Sequence, residues 1–355
     1  QGSIRRDGSS NFGKDVKFGT FYSGSIGWNI AKEDFFNADF VNDLKLRASY
    51  GSVGNRSGLT RYASMGVVTY EGYPGGNATV PYRITNPDLT WETSYTTNIG
   101  LEFNAFNKRL RLVSDYFIRR TTDLLFDVPM SYESGVGAIL GNIGEIENKG
   151  LELALQGDIV KTRDFTWTLG GNIIFLDHKI VELPDGEPID PNNTFSIRWE
   201  EGRKINEHYM IRYAGVDPAT GRGQFYGHDG GIYFADEMPE GENRVFQGKS
   251  TIADKEGGFF TNIDYKGFGL RADFVFKAGN WINNVVREQR ESDGSNIQYN
   301  QAVTAANYWK KPGDNNVLPS PIYAAQDASV MGNSDRYLEK GDYIRMRNIT
   351  LSYSF

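Results

Sequence analysis

The stretch Phe165–Phe175, FTWTLGGNIIF, contains the clearest period-two pattern in the chain. Successive side chains of a strand point to opposite faces of its sheet. One face of this stretch carries the apolar side chains of Phe165, Trp167, Leu169, Ile173 and Phe175. The opposite face carries Thr166, Thr168 and Asn172. The stretch therefore predicts a β-strand with one apolar and one polar face.

The same alternation recurs elsewhere, and each apolar face lies opposite charges or hydroxyls. The recurrences are Leu151, Leu153 and Leu155 around Glu152; Phe268, Leu270, Ala272, Phe274 and Phe276 around Arg271, Asp273 and Lys277; and Ile349, Leu351, Tyr353 and Phe355 around Thr350, Ser352 and Ser354. A soluble β-sandwich gives the same alternation. Periodicity alone therefore leaves a sandwich and a membrane barrel open.

Composition supports antiparallel β structure. The 355 residues include 41 Gly, 20 Tyr and 22 Phe but no Cys, which excludes disulfides and thiolate sites. A net charge of −7 argues against nucleic acid as a partner. The mean hydropathy of −0.50 and the lack of long apolar runs exclude membrane helices, whereas barrel strands alternate and keep hydropathy low. The first residues lack a signal peptide, which predicts either a cytoplasmic protein or a chain whose beginning lies elsewhere.

Twelve strands are predicted, without a linker between domains. Their ranges are 1–6, 18–31, 44–52, 92–104, 108–127, 143–157, 163–178, 194–201, 205–214, 258–266, 268–280 and 343–355. Apart from the stretch before the third strand, short connections alternate with long ones. Outer-membrane barrels have this asymmetry, with short periplasmic turns and longer extracellular loops. The predicted fold class is therefore an all-β, antiparallel transmembrane barrel with long extracellular loops.

Several short motifs resemble the SusC/RagA-type TonB-dependent transporters of Bacteroidetes-like bacteria. The matching stretches, in the order of the family, are DGSSNF (7–12), LRASYGSVGN (46–55), NPDLTWE (86–92), TTDLL (121–125), NIGEIENKGLE (142–152), EEGR (200–203), GVDPATG (215–221) and GDYIRMRNITLSYSF (341–355). They span nearly the whole chain.

The resemblance implies an outer-membrane importer of oligosaccharides or peptides. It implies a barrel of about 22 strands, and residues 1–355 would be the C-terminal part of that barrel. It also implies that a SusD-like lipoprotein caps the barrel and that TonB supplies the energy for import. The plug, N-terminal extension and TonB-contacting segment would lie outside this chain, and two further strands would follow it. A surface adhesin or carbohydrate-binding β-sandwich protein is the alternative, and a barrel enzyme comes third.

The alternation also assigns faces. Trp167, Leu169, Phe274 and Leu351 are expected to face outer-membrane lipid, and Glu152, Arg271, Asp273 and Lys277 the lumen. Lumen-facing charges are expected chiefly to form cross-strand pairs rather than to contact substrate. Arg345 and Arg347 lie on the same face of their strand as Ile349, which is expected to face lipid. Two charges on that face conflict with the assignment unless their side chains reach water at the rim of the barrel.

The surface that contacts substrate or lipoprotein is expected on the long loops 53–91, 215–257 and 281–342. Candidate contacts to substrate or lipoprotein are Tyr70, Tyr73, Tyr82, Tyr226, Tyr233, Phe234, Trp281, Tyr308, Trp309 and Tyr323. Such rings stack on sugars and also bury peptide side chains. The alternative is that they pack the loops onto each other.

No motif indicates catalysis or a cofactor. His228-Asp229 lacks a second histidine at ligand spacing, and neither G-x-S-x-G nor H-E-x-x-H occurs. A glycosidase needs a pair of carboxylates, and no local context singles out such a pair among the 45 acidic residues. Loop-bound Ca²⁺ at 185–193 or 217–221 is an open alternative, although turn chemistry explains these acidic clusters better.

Overall fold

A computed structural model describes residues 1–131, 133, 135–191, 196–295, 298–315, 317–321 and 333–355. They form two compact units. Unit 1 comprises Gln1–Glu187, Lys255–Phe276 and Ile344–Phe355; unit 2 comprises Pro188–Asp254 and Lys277–Tyr343. No helix among the described residues has both the length and the apolarity to cross a membrane.

A ten-stranded sheet dominates unit 1. Its strands, in spatial order, are β1 (Gly2–Gly8), β2 (Phe18–Asn29), β3 (Val41–Asn55), β6 (Glu92–Ala105), β7 (Leu110–Thr122), β10 (Glu145–Lys161), β11 (Phe165–Glu182), β17 (Lys255–Tyr265), β18 (Phe268–Ala278) and β21 (Tyr343–Tyr353). Each strand lies beside the next strand of the sheet along the chain, and every register that the structure defines between them is antiparallel.

Two further hairpins belong to the long connections of unit 1. The first joins β4 (Val67–Tyr73) to β5 (Gly76–Arg83), and the second joins β8 (Leu125–Pro129) to β9 (Ala138–Asn142). A small core of Phe12, Phe21, Ala63, Leu89 and Trp91 packs the first connections against the sheet. Trp91 anchors this core because its Nε1 donates to the Lys17 carbonyl at 3.2 Å.

Register aligns the alternating residues of the large sheet across its strands. Leu153 lies opposite Ile173 on one neighbour and Ser114 on the other, and Ser114 lies opposite Leu101. One step along, Glu152 lies opposite Asp115. We call the side with Leu101, Leu153 and Leu169 the apolar face, and the side with Glu152 and Asp115 the polar face.

Short and long connections alternate along the sheet, as the sequence predicts. Turns at 106–109, 162–164 and 266–267 are short, and the connections at 56–91, 123–144, 183–254 and 279–342 are long. A sheet built of sequential hairpins places alternate connections at opposite ends of its strands. All long connections therefore leave from one end of the sheet.

Unit 2 is built from the two longest connections. It contains β12 (Glu207–Met210), β13 (Tyr213–Val216), β14 (Gly223–Tyr226), β15 (Ile232–Tyr233), β16 (Val245–Ser250), β19 (Trp281–Asn283), β20 (Leu338–Lys340) and the helix α1 (Val285–Glu291). Short helical turns lie at Ile30–Lys32 and Pro184–Gly186 in unit 1 and at Ala235–Glu237, Val303–Ala306 and Asp335–Tyr337 in unit 2.

Ten of the twelve predicted strands lie in the large sheet, but the predicted pair at 194–201 and 205–214 does not. Residues 194 and 195 lie outside the described part. Residues 205–214 instead contribute to β12, which pairs β16, and to β13, which pairs β14. The predicted strand 108–127 is also split, because Asp123 adopts a left-handed backbone (φ 55°) after β7. Its last residues join the β8–β9 hairpin.

Candidate functional site

A network of charges centres on Arg47 on the polar face. Its Nη2 donates to both Asp115 oxygens at 2.9 and 3.0 Å, and its Nε lies 3.0 Å from Glu102 Oε1. Gly100 lies between Arg47 and Asp115 in register, and a Cβ there would collide with the Asp115 carboxylate. The missing side chain thus leaves room for the ion pair. No sequence motif marks Arg47, although its charge and that of Lys45 alternate with the apolar Leu44, Leu46 and Ala48.

The predicted lumen-facing residues occupy the polar face. Glu152 is exposed in register with Asp115. Arg271 Nη2 lies 2.7 Å from Asp273 Oδ1, and its guanidinium carbon lies 4.0 Å above the Phe260 ring. Lys277 is exposed near the end of β18. The assignment of this face to a lumen stays a prediction.

An open pocket of about 850 Å³ lies on unit 1. Its lining includes Arg111, Gln156, Asn172, Phe260, Arg271 and Asp273. Arg347 and Asn348 also line it, so three guanidinium groups, three amides and a carboxylate supply donors and acceptors beside phenylalanine rings. This surface can hold a polar molecule, but it offers no nucleophile beside a base, as covalent catalysis requires.

Two candidate tyrosines of the β4–β5 hairpin are strongly exposed. Tyr70 is 74 % and Tyr82 65 % exposed. Tyr73 lies at the end of β4 opposite Gly76. Tyr70 and Tyr82 thus offer ring surface to another molecule.

The candidate aromatic residues of unit 2 have partners within the unit. Cations lie over four of the rings: Arg212 over Tyr226 at 4.7 Å, Arg222 over Phe234 at 4.3 Å, Lys249 over Trp281 at 4.3 Å and Lys310 over Tyr308 at 5.2 Å. Tyr233 donates its hydroxyl to Asp229 at 2.7 Å, and Trp309 donates Nε1 to the Pro218 carbonyl at 3.0 Å. For these six residues, packing of the loops is an observed role. Tyr323 lies outside the described residues.

One acidic loop residue considered for Ca²⁺, Asp217, holds a turn together. Asp217 accepts hydrogen bonds from the Thr220 hydroxyl at 2.5 Å and amide at 3.1 Å. The hydroxyl bond, followed by backbone amides, holds the pKa of the Asp217 carboxyl below its usual range. His228 Nδ1 lies 3.0 Å from Asn243 Oδ1. Within the described ranges, no cluster of three or more His, Cys, Asp or Glu residues is suited to a metal ion.

Comparison with known proteins gives the same assignment as the motifs. A family model described as "TonB dependent receptor-like, beta-barrel" matches residues 1–284. TonB-dependent receptor P3 of Formosa agariphila is 33 % identical over 99 % of this chain and 36 % of its own length. TonB-dependent receptor SusC of Bacteroides thetaiotaomicron is 29 % identical over 99 % of this chain and 36 % of its own.

Solved structures agree with these relatives. The structure described as the RagAB peptide transporter matches 99 % of this chain and 39 % of the compared chain, with a TM-score of 0.87 and 30 % identity. The chain thus spans somewhat over a third of the relatives that it matches. The predicted transmembrane barrel fold and the SusC/RagA resemblance are confirmed. The chain belongs to the TonB-dependent receptor family of outer-membrane β-barrels.

Proposed function

We propose that this chain forms part of the barrel wall of an active importer that carries large nutrients, oligosaccharides or peptides, across the outer membrane. The observation that carries this proposal is the match to the RagAB peptide transporter over 99 % of the chain at a TM-score of 0.87. The similarity to SusC supports the same class of function. The sheet has one apolar and one polar face, as a barrel wall requires, because one side of the wall lies in lipid and the other in water.

Two partners follow from this proposal. TonB would supply the energy for uptake, and a SusD-like lipoprotein would cap the barrel. The exposed Tyr70 and Tyr82 are proposed to contact the lipoprotein or the substrate, because Tyr is enriched at interface hot spots. Glu152, Arg271, Asp273 and Lys277 are proposed to face the aqueous interior.

The alternative, a soluble β-sandwich adhesin, fits the apolar face poorly. A sandwich buries the apolar face of one sheet against another sheet. Here Leu155 is 52 % and Phe259 43 % exposed. The named relatives are receptors and transporters rather than enzymes, which supports a non-catalytic role.

Deletion of the gene in the bacterium that carries it tests import. Growth on its oligomeric nutrient, sought among peptide mixtures and oligosaccharides, should be lost, whereas growth on free amino acids and monosaccharides should continue. Restored growth should require both the gene and an intact TonB. Unchanged growth on every oligomer, or uptake that persists without TonB, would contradict the proposal.

One double variant tests the hairpin within the same assay. Tyr70→Ala with Tyr82→Ala should assemble normally but reduce uptake and co-purification of the lipoprotein severalfold. Thr79→Ala is the matched control, because Thr79 lies opposite Tyr70 in the hairpin and has a small side chain. Equal uptake and lipoprotein capture by both variants would show that the rings are not contacts.

A further inference from the structure

The pocket of about 850 Å³ on unit 1 is crossed by one row of residues on the polar face. The row follows the strand register, in which Arg111 lies opposite Gln156, Gln156 opposite Gly170, and Gly170 opposite Phe260. Ala154, two residues before Gln156 on the same face, also lines the pocket. A guanidinium and an amide therefore stand at one end of the row, an aromatic ring stands at the other, and small residues lie between them.

The Phe260 end of the row has no charge left over for a ligand. A Cβ at Gly170 would collide with the Phe260 ring, so the ring lies directly over that glycine. The Arg271 guanidinium carbon lies 4.0 Å from the centre of the same ring. Arg271 donates from Nε to both Asp273 oxygens at 3.0 and 3.1 Å and from Nη2 to Oδ1 at 2.7 Å. This end of the pocket is therefore a wall in which each charge already has its partner.

The Arg111 end of the row has hydrogen-bond donors that the chain does not use. Arg111 is exposed, and its guanidinium forms neither an ion pair nor a hydrogen bond with any residue that the structure describes. The side-chain amides of Gln156 and Asn172, which also line the pocket, have no hydrogen-bond partner within the described ranges. Asn172 is exposed and Gln156 is half-buried. A ligand in the open pocket can therefore reach these donors without a rearrangement of the chain.

The charge of the lining favours an anion. Arginines outnumber carboxylates in the lining by three to one, whereas acidic residues outnumber basic ones by 45 to 38 in the whole chain. A guanidinium group donates two parallel hydrogen bonds to a carboxylate, and amide groups add further donors without charge. Because the donors beside Arg111 are neutral, the local charge matches a singly charged carboxylate better than a phosphate, which carries nearly two charges.

We propose that this pocket binds a carboxylate of the transported substrate, with the carboxylate on Arg111 and Gln156 and the rest of the ligand over Ala154 and Gly170. The assignment rests on the proposed import function, because the polar face is then reached from the lumen of the barrel. A peptide supplies such a carboxylate from its C-terminus or an acidic side chain, and an oligosaccharide supplies it from a uronic acid. Arg111 is the second residue of β7 and directly follows a short turn, so the site lies toward the end of the strands that bacterial barrels place in the periplasm.

Calorimetry on the full-length protein, purified in detergent, tests the proposal with two matched pairs of probes. Nα-acetyl-phenylalanine is compared with its primary amide, and trigalacturonic acid with its methyl ester. In at least one pair the acid should bind at least tenfold more tightly than its uncharged partner, and that pair identifies the source of the carboxylate. If neither acid binds more tightly than its uncharged partner, the proposal is overturned. Binding is measured without transport, so its absence and a loss of the import function are separate results.

Two variants locate the binding. Arg111→Gln should weaken binding of the acid at least tenfold and leave its uncharged partner unchanged, whereas Ala154→Leu should fill the pocket and abolish binding while Arg111 is retained. Arg119→Gln is the matched control, because Arg119 is an exposed arginine on the same face of β7 outside the pocket. Circular dichroism shows whether each variant is folded. If Arg111→Gln is folded and binds the acid as the parent and Arg119→Gln do, the carboxylate is not held at this site.

Discussion

At the residue scale, the informative groups are buried polar side chains that no sequence motif marks. His208, in β12, is 2 % exposed, and its Nε2 lies 3.3 Å from the Trp281 carbonyl oxygen. Burial is the main cause that lowers the pKa of this imidazole, and Lys249 acts in the same direction. Bonds to the Trp281 and Ser196 backbone and the charge of Glu207 oppose that shift without cancelling it. His208 is therefore neutral within a folded unit 2 near pH 7.

This burial predicts that unit 2 loses stability on acidification. An unfolded histidine titrates near pH 6.5, whereas folded His208 titrates lower. The unfolded state therefore binds more protons between these two values, and stability falls as the pH drops below about 6.5. Each unit of difference between the two pKa values contributes about 1.4 kcal/mol. Hydrogen exchange of Glu207–Met210, corrected for intrinsic rates, measures the loss.

Two histidine variants separate this effect from general acid sensitivity. His208→Gln should flatten the pH dependence between pH 7 and pH 5, whatever it does to stability at neutral pH. His228→Gln is the control, because His228 is exposed and should leave the profile unchanged. A parent protein whose protection is constant down to pH 5 would contradict the prediction.

At the scale of strands, the sequence predicts the large sheet well because its signal is local. Alternation such as that of Phe165–Phe175 is caused by the two faces of one strand, and ten predicted strands lie in the sheet. Residues 205–214 alternate in the same way but form short strands of unit 2. A period-two pattern of apolar residues indicates that one face of a strand is buried or apolar. It does not indicate which sheet the strand joins.

The candidate site was less predictable because it depends on distant contacts. The Arg47–Asp115 pair joins residues that lie 68 positions apart in the chain. Aromatic residues in long loops were recognisable from composition. Whether a ring is exposed, as Tyr70 is, or lies under a cation, as Phe234 does, depends on tertiary packing that the sequence does not display.

Opposite faces of β11 should respond differently to the same new charge. Leu169→Arg places a cation on the apolar face, which should cost about 2–4 kcal/mol if that face lies at mid-bilayer. Asn172→Arg places it on the polar face of the same strand, where Asn172 is exposed, and should cost under about 1 kcal/mol. Urea titration of the barrel refolded in lipid vesicles measures both. Equal costs would show that the faces are wrongly assigned.

At the scale of the whole chain, connection length and the apolar face together define an orientation. The long connections leave from one end of the strands, and the short turns lie at the other end. Bacterial barrels place short turns in the periplasm and longer loops outside. The chain also contains no cysteine, so a single introduced thiol can be labelled without background.

Thiol labelling on intact cells should therefore follow connection length. Asn77→Cys in the β4–β5 hairpin and Glu240→Cys in unit 2 should react with a membrane-impermeant maleimide in whole cells. Lys108→Cys and Asp164→Cys, in the short turns, should react only after the outer membrane is permeabilised. All four positions are exposed in the structure, so local burial does not explain a difference between them. If Lys108→Cys and Asp164→Cys label in whole cells as fast as Asn77→Cys, the orientation inferred from connection length is wrong, because a membrane barrier is the one feature expected to separate these positions.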